Sequence, residues 1–516
     1  MIAALLLGLA AAPKTQGKLV VLVVVDQLRY QDVLWLSPEF GARGFAGLGE
    51  AKPMRYETVV TETAADHAVL GTGAYAELNG IIGNRFWDTG TPREAVEDEQ
   101  CPVWGAPKLG KSAAALRVPT VGDALKLGTD GAGRVVTVAI KDRTALFLAG
   151  TSADLALWWE NELGEFVSTS CYAKAAPSWI PRHPGAAYKD WVWTPLRDLS
   201  GIVPEGRAAG AVPLFDIGPA FPHHVGQGKL DKRLYSALRY TPASTTLALA
   251  AARAAVEGMQ LGSSGTTDYL AVGLSALDGV GHMFGTTAPE RVDTLLRMHE
   301  ELGAFVSDLR ARFGRRLSVV LTSDHGLTPT ADDQHRLRVA QGGSMNPVEL
   351  AQKVERAIER ELGPRQTQRE LGPQKTQWVV GIDGSALTLS KPFPDRAAEI
   401  AADTLRKEPG VWKAIVTSRV ADEDENARHA VYPGRSGEVL IVVRPLWTLR
   451  KPSDAADHGS PWNDDALVPL FLQAPGFHFR DEPRFRATQV APTVSLLLSA
   501  APPAAAFDVP AASPDR

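Results

Sequence analysis

Short apolar runs rich in β-branched residues punctuate the chain, and most of them end in polar side chains. After its lysine, segment 18–25 (KLVVLVVV) is apolar without alternation, the pattern of a strand buried on both faces of a parallel sheet. Comparable runs lie at 135–140, 268–274, 317–322, 438–443 and 467–472. Helical patterns fall between them at 120–127, 244–258, 289–313 and 491–499, the last with Pro492 in its first turn. Strands alternating with helices predict an α/β fold built on a mostly parallel central sheet flanked by helices.

Two stretches break this rhythm. Residues 146–239, rich in Trp and Pro with weak periodicity, predict a loop-heavy cap inserted into the fold. Residues 340–436 carry helical patterns at 347–362 and 395–408 and a strand at 378–382, which predicts a small inserted α/β lobe. Inside that lobe ELGPRQTQ (361–368) recurs as ELGPQKTQ (370–377). One tandem copy is too little for a repeat fold and reads as a duplication in a surface loop.

Composition narrows the class. A 516-residue chain exceeds one compact core, which agrees with insertions into a large domain. It is 45% hydrophobic and 22% charged with a formal net charge of −5, and it has no basic run, which argues against nucleic acid or an anionic membrane as partner. The apolar run within residues 1–12 is too short to span a bilayer and reads as the core of a signal peptide over 1–17. The remaining 18–516 would then be periplasmic or secreted, without stable membrane insertion. Cys101 and Cys171, the only cysteines, permit one disulfide in such a compartment.

The candidate chemistry lies directly after the strands. Asp26 ends the first run; Lys141, Asp142 and Arg143 end the second; Asp278 and His282 follow the third; Asp324 and His325 end the fourth, in TSDHG. In open α/β sheets ligands bind beyond the carboxyl ends of strands, so these groups should share one edge. His458, in the loop before 467–472, could join them. Alone, an Asp after a strand commonly caps a turn, and a lone His is more often structural. Together, three carboxylates (Asp26, Asp278, Asp324) and three imidazoles (His282, His325, His458) exceed one tetrahedral metal site and suit two. In TETAADHAVLGTG, Thr63 stands at the start of a helical segment, where backbone N–H groups and the helix dipole favour phosphate. Capping is the commoner duty of such a threonine, and nucleophilic work would need a metal to lower its pKa.

The strings VVVDQLR, TETAADH, NGIIGN, TVGDALK, IKDRTA, ALDGVGH, TSDHG, HGSPWN and VAPTVSLLL resemble the alkaline phosphatase superfamily over about 18–499. The resemblance is closest to periplasmic alkaline phosphatases with a Thr nucleophile and a Lys/Arg pair, with nucleotide pyrophosphatase/phosphodiesterases as near relatives. It implies a metal-dependent phosphate monoester hydrolase acting on small phosphorylated substrates through a phosphothreonine at Thr63. Asp26, Thr63, Asp324 and His325 would hold one Zn²⁺, and Asp278, His282 and His458 the other; Asn84, Lys141 and Arg143 would bind phosphoryl oxygens. One departure is visible: Ala65 and Asp66 stand where the family usually has Pro-Gly or Pro-Asn before the histidine. A phosphodiesterase would share the metals, Thr63 and Asn84, but has less use for Lys141 and Arg143. A sulfatase would need a Cys or Ser string that Cys101-Pro102-Val103 does not supply. A non-catalytic binding protein of the same fold is the alternative outside enzymes.

Overall fold

The computed structural model describes residues 17–515 except 89–90, 204–210, 370–371 and 452–453. The signal peptide expected over 1–17 therefore lies, apart from Gly17, outside the described residues. Among them, a nine-stranded sheet forms the core, in the order Phe485–Arg486, Lys52–Arg55, Leu467–Gln473, Leu317–Thr322, Leu19–Val25, Asp268–Leu274, Val135–Ala139, Leu155–Glu160 and Glu165–Val167. The five strands from Leu317–Thr322 to Leu155–Glu160 run parallel, and antiparallel strands flank them on both sides.

The unalternating run of the first strand has a direct cause. Leu19, Val21, Val23 and Val25 pack into one core cluster, while Val20, Leu22 and Val24 pack into another on the opposite face. Helices Ala243–Gly258 and Pro289–Phe313 cover the first face, and Thr63–Thr72, Asp142–Ala149 and Val490–Leu498 the second. Full burial of each such Val or Leu contributes about 1.5–3 kcal/mol relative to exposure. Register is tight at the carboxyl edge: Val25 pairs with Leu274 and Val24 with Thr322, so the polar residues that follow these strands emerge side by side.

Two boundaries differ from those read in the sequence. The cap was expected from 146, yet Leu155–Glu160 and Glu165–Val167 belong to the main sheet and the cap segment follows them. Leu155–Glu160 (LALWWE) is buried along its whole length, and its paired tryptophans resemble loop composition when read alone. The lobe was expected to end at 436, but Val439–Val443 lies inside its four-stranded antiparallel sheet, ordered Val379–Asp383, Ala386–Leu389, Val439–Val443, Val411–Val416. Continuous burial makes that strand look like one from the parallel core; here one of its faces packs into the lobe's own apolar cluster. The duplicated segment contributes two short antiparallel strands, Gln366–Arg369 and Gly372–Lys375. Cys101 and Cys171 form a disulfide.

Candidate active site

The first strand delivers Asp26 fully buried, and the chain then turns through Gln27 at a positive φ of 68°. That turn aims the Gln27 backbone N–H at Asp324 Oδ1 (3.0 Å) and its side-chain amide at Asp278 Oδ1 (3.1 Å). Ser275 Oγ donates to Asp26 Oδ2 at 2.8 Å. Asp278 sits in the first turn of helix Ala276–Phe284, and His282 lies one turn later on the same face, with Nε2 3.3 Å from Asp278 Oδ1. Asp324 and His325 follow Leu317–Thr322. Gly326 is required there by close approach, since a Cβ would lie 2.0 Å from the Asp464 carbonyl oxygen. His458 arrives from the loop before Leu467–Gln473, and its ring stacks on His325 with centroids 3.6 Å apart.

The histidines share one orientation. Nδ1 of His282 hydrogen-bonds the Ala456 carbonyl (3.0 Å), that of His325 the Gly326 carbonyl (3.0 Å), and that of His458 the Thr61 carbonyl (2.9 Å). Since a carbonyl can only accept, each Nδ1 carries a proton, and each Nε2 is left to ligate a cation once it holds no proton of its own. His67 does the same, with Nδ1 on the Thr63 carbonyl at 2.8 Å and Nε2 buried without a hydrogen-bond partner.

These residues suit divalent cations. Asp26 Oδ1 and Asp324 Oδ2 are buried without hydrogen-bond partners, a costly arrangement for carboxylates unless a cation faces them. Among the described residues three compact groups of ligand atoms arise: Asp278, His325 and His458; His282, Asp457 and His458; and Asp26, His67 and Asp324. Carboxylate oxygens mixed with imidazole nitrogens are a donor set for Zn²⁺ or a similar divalent metal. Burial pushes Asp324 up to about 7, with Asp26 acting in the same direction. Burial also pushes His325 down to about 3 against the pull of Asp278, so its imidazole is neutral. At His282 burial opposes the charged form, but Asp278 outweighs it and raises the group to about 10.

Thr63 opens helix Thr63–Thr72, of which every residue is buried. The helix packs close to Asp142–Ala149 because Gly71 has no side chain; a Cβ there would lie 2.2 Å from the Phe147 carbonyl oxygen. Thr63 Oγ1 lies 3.3 Å from His325 Nε2 and accepts a hydrogen bond from Lys141 Nζ at 3.2 Å. The cap position is Glu62, not a threonine, and Thr61 instead donates its hydroxyl to the Ser460 carbonyl at 3.0 Å. Asn84 Oδ1 accepts from the Ala64 N–H at 3.1 Å, and its amide donates to Glu62 Oε1 at 2.8 Å. Glu62 is half-buried, and the loss of water around its carboxyl, reinforced by Asp383, raises it to about 7.

Lys141 and Arg143 both follow the Val135–Ala139 strand, but they do not share an extended backbone. Helix Asp142–Ala149 starts between them, so Lys141 is its extended N-cap and Arg143 lies in its first turn. Lys141 reaches Asp26 (2.9 Å) and Asp278 (2.7 Å), while Arg143 stays partly exposed with its Nε buried and without a partner. A cleft of about 260 Å³ opens over this edge, lined by Glu62, Asn84, Tyr240, His282 and His458 and closed on one side by Asp383, Gly384 and Ser385 of the lobe.

Gln27, His67 and Asp457 were not singled out as site residues in the sequence. A signal for two of them exists: Asp66-His67, Asp324-His325 and Asp457-His458 are the chain's three Asp-His dipeptides, and each contributes its histidine to these groups. Gln27 has no such signal, since its contribution comes from a left-handed turn.

The family model for type I phosphodiesterase / nucleotide pyrophosphatase matches residues 20–461. The chain belongs to this family. Several of its relatives are named alkaline phosphatases, which places the chain in the alkaline phosphatase superfamily. Alkaline phosphatase PhoK of Sphingomonas sp is 29% identical over 524 residues, covering 94% of this chain and 89% of the relative. Alkaline phosphatase PafA of Elizabethkingia meningoseptica is 27% identical, covering 98% and 96%. The crystal structure of wild-type alkaline phosphatase PafA superposes with a TM-score of 0.85 at 24% identity over 97% of this chain and 99% of that one, so the fold is shared from end to end.

Proposed function

We propose that this chain is a metal-dependent phosphate monoester hydrolase, an alkaline phosphatase working through a phosphothreonine on Thr63. The observation that carries the reading is the Lys141 ammonium, 3.2 Å from the Thr63 hydroxyl, with the unsatisfied Nε of Arg143 two residues on in the next helix. Two fixed cations near a nucleophile at a helix N-terminus suit a dianionic phosphoryl group. The relatives named alkaline phosphatases support the same reading.

In this reading Thr63 Oγ1 attacks phosphorus, the leaving alcohol departs, and water then cleaves the phosphothreonine to release inorganic phosphate. Asp26, Thr63, Asp324 and His325 hold one divalent cation, and Asp278, His282 and His458 the other. Zn²⁺ in these sets supplies neutralisation of phosphoryl charge and a lowered pKa for the attacking hydroxyl and water. Asn84 presents its amide to a phosphoryl oxygen, held by its bonds to Ala64 and Glu62. Lys141 and Arg143 hold the remaining charged oxygens. His67, grouped with Asp26 and Asp324, and Asp457, grouped with His282 and His458, are further donors to these two sets. The substrates are small phosphorylated molecules that fit the cleft, not nucleic acid.

The apolar start of the sequence and the disulfide both support export to the periplasm or medium. No helix among the described residues is long and apolar enough to cross a membrane. Turnover of aryl phosphate monoesters and diesters by the Zn²⁺-loaded protein tests the reading. Monoesters should be favoured in kcat/KM by at least about two orders of magnitude, the worth of the charge-assisted contacts a diester forgoes. Equal or inverted preference would favour a phosphodiesterase, the activity in the family model's own description.

A further inference from the structure

Arg143 is a long, partly exposed side chain whose charge acts on Glu62 of the cleft, and its only ion pair with a described residue is a long one to its neighbour: NH1 lies 3.6 Å from Asp142 Oδ1. The same oxygen accepts the Arg143 backbone N–H at 2.7 Å. The other oxygen, Oδ2, is occupied by Lys111 Nζ at 2.6 Å. Lys111 is itself flanked by Glu160 Oε2 at 3.9 Å and lies over the Trp158 ring at 6.0 Å, both from a strand of the main sheet. Sequence reading did not single out Lys111.

The backbone that brings Lys111 here is well anchored. Lys111 ends the antiparallel hairpin Glu97–Val103 and Ala106–Lys111, and Glu97 is its cross-strand partner. The Cys101–Cys171 disulfide ties the hairpin to the chain that leaves the main sheet. Trp104 N–H donates to the Ser168 carbonyl and Ser170 N–H to the Pro102 carbonyl, both at 3.0 Å. The position of Lys111 is thus set by a covalent staple and a sheet rather than by a loose loop.

We propose that Lys111 is a positioning residue for phosphoryl transfer: by holding Asp142 Oδ2 it keeps that carboxylate from pairing frontally with Arg143 and leaves the guanidinium directed at the substrate. This inference rests on the reading of Arg143 as a phosphoryl ligand. The physical reason is competition. A free carboxylate beside a guanidinium collapses into a two-bond fork, which would consume the donors that the phosphoryl group needs. With Oδ2 held by Lys111, only the long contact to Oδ1 remains, and Arg143 Nε has no partner among the described residues. Asp142 is held well below the usual carboxylate range, because Lys111 and then Arg143 overcome the cost of its burial. It therefore remains an anion across any working pH, so the competition never lapses.

A double-mutant cycle on the Zn²⁺-loaded protein tests this, with Lys111→Met, Arg143→Ala and the pair, read on an aryl monoester, an aryl diester and inhibition by inorganic phosphate. Lys111→Met keeps the aliphatic stem and should lower monoester kcat/KM about tenfold and weaken phosphate inhibition similarly, while diester turnover changes by less than about twofold. Lys111→Arg keeps the cation and should restore most of the loss. In the Arg143→Ala background Lys111→Met should add less than about twofold, because its effect passes through the guanidinium. An undiminished loss in that background, or an equal loss on diesters, overturns the inference. If Arg143→Ala alone leaves monoester turnover unchanged, the assignment of Arg143 falls instead, a separable result. Should Lys111→Met fail to fold, Lys111→Gln carries the same expectations and the same refutations.

Discussion

Lys141 Nζ and Thr63 Oγ1 are 3.2 Å apart at the meeting of two helix N-termini, and the lysine, not the threonine, is the donor. An oxygen that accepts from an ammonium is stabilised as negative charge develops on it, which suits a nucleophile. Thr63→Ala should lower monoester turnover by several orders of magnitude. Thr61 is the control two residues away, with its hydroxyl on the Ser460 carbonyl. Thr61→Ala should cost about 1 kcal/mol of stability, from one lost hydrogen bond, and leave kcat within a few-fold. Loss of activity in Thr61→Ala with retention in Thr63→Ala would reverse the nucleophile assignment.

The two residues proposed to hold the phosphoryl group, Lys141 and Arg143, sit in different backbone environments, one an extended N-cap and one a helical first turn. Their separate anchoring should make their effects on substrate choice distinct. Each alanine variant should lower kcat/KM for monoesters by roughly two orders of magnitude and for diesters far less. Lys141→Ala should have the larger effect, since its ammonium also neutralises Asp26 and Asp278. Steady-state kinetics on matched aryl esters measure this, and equal losses on both classes would remove the pair from specificity.

The strand ends were legible because burial on both faces forces uninterrupted apolar runs, so the polar residues that follow each run mark the ligand edge. Asp26, Asp324 and His325 follow from that alone. Gln27 could not be found this way: its bonds to Asp324 and Asp278 arise from a positive φ that no neighbouring glycine announces. Val439–Val443 shows the converse limit. An apolar run states that a strand is buried, not in which sheet, and this one completes the lobe. Lys111 was invisible because its partner Asp142 lies 31 positions away, beyond a helix and a strand of the main sheet.

His458 is the ligand candidate most open to substitution without damage to the core. It comes from a loop, and its partners are a backbone carbonyl and the rings of His325 and His282. Elemental analysis should find two divalent metals per chain in the wild type, and His458→Ala should lose or weaken one of them with its fold retained. Chelation should abolish turnover and lower Tm, since bound metal stabilises the native state by mass action. One tightly bound metal in fully active wild-type protein would contradict the two-site assignment.

Asp66 provides the last test, and it concerns stability. It lies on the buried helix after Thr63, and its carboxylate oxygens have no aligned hydrogen-bond partner, the Glu62 backbone giving only weak relief. Burial, then the nearby Asp324, holds it well above the usual carboxylate range. In the metal-free protein Asp66 thus stays protonated where the unfolded chain, near the ordinary value of about 3.9, has already ionised. A group raised in the folded state contributes its full stability below the unfolded pKa, and that contribution is lost as pH rises through the folded value. The slope approaches about 1.4 kcal/mol per pH unit while the two states differ by a whole proton. Asp66→Asn cannot ionise, and asparagine fills the same space. Urea unfolding of chelator-treated wild type and Asp66→Asn at about pH 5 and about pH 8 should therefore show the variant gaining on the wild type as pH rises. A pH-independent difference, or a variant that loses ground at the higher pH, would mean that Asp66 has found a compensating partner.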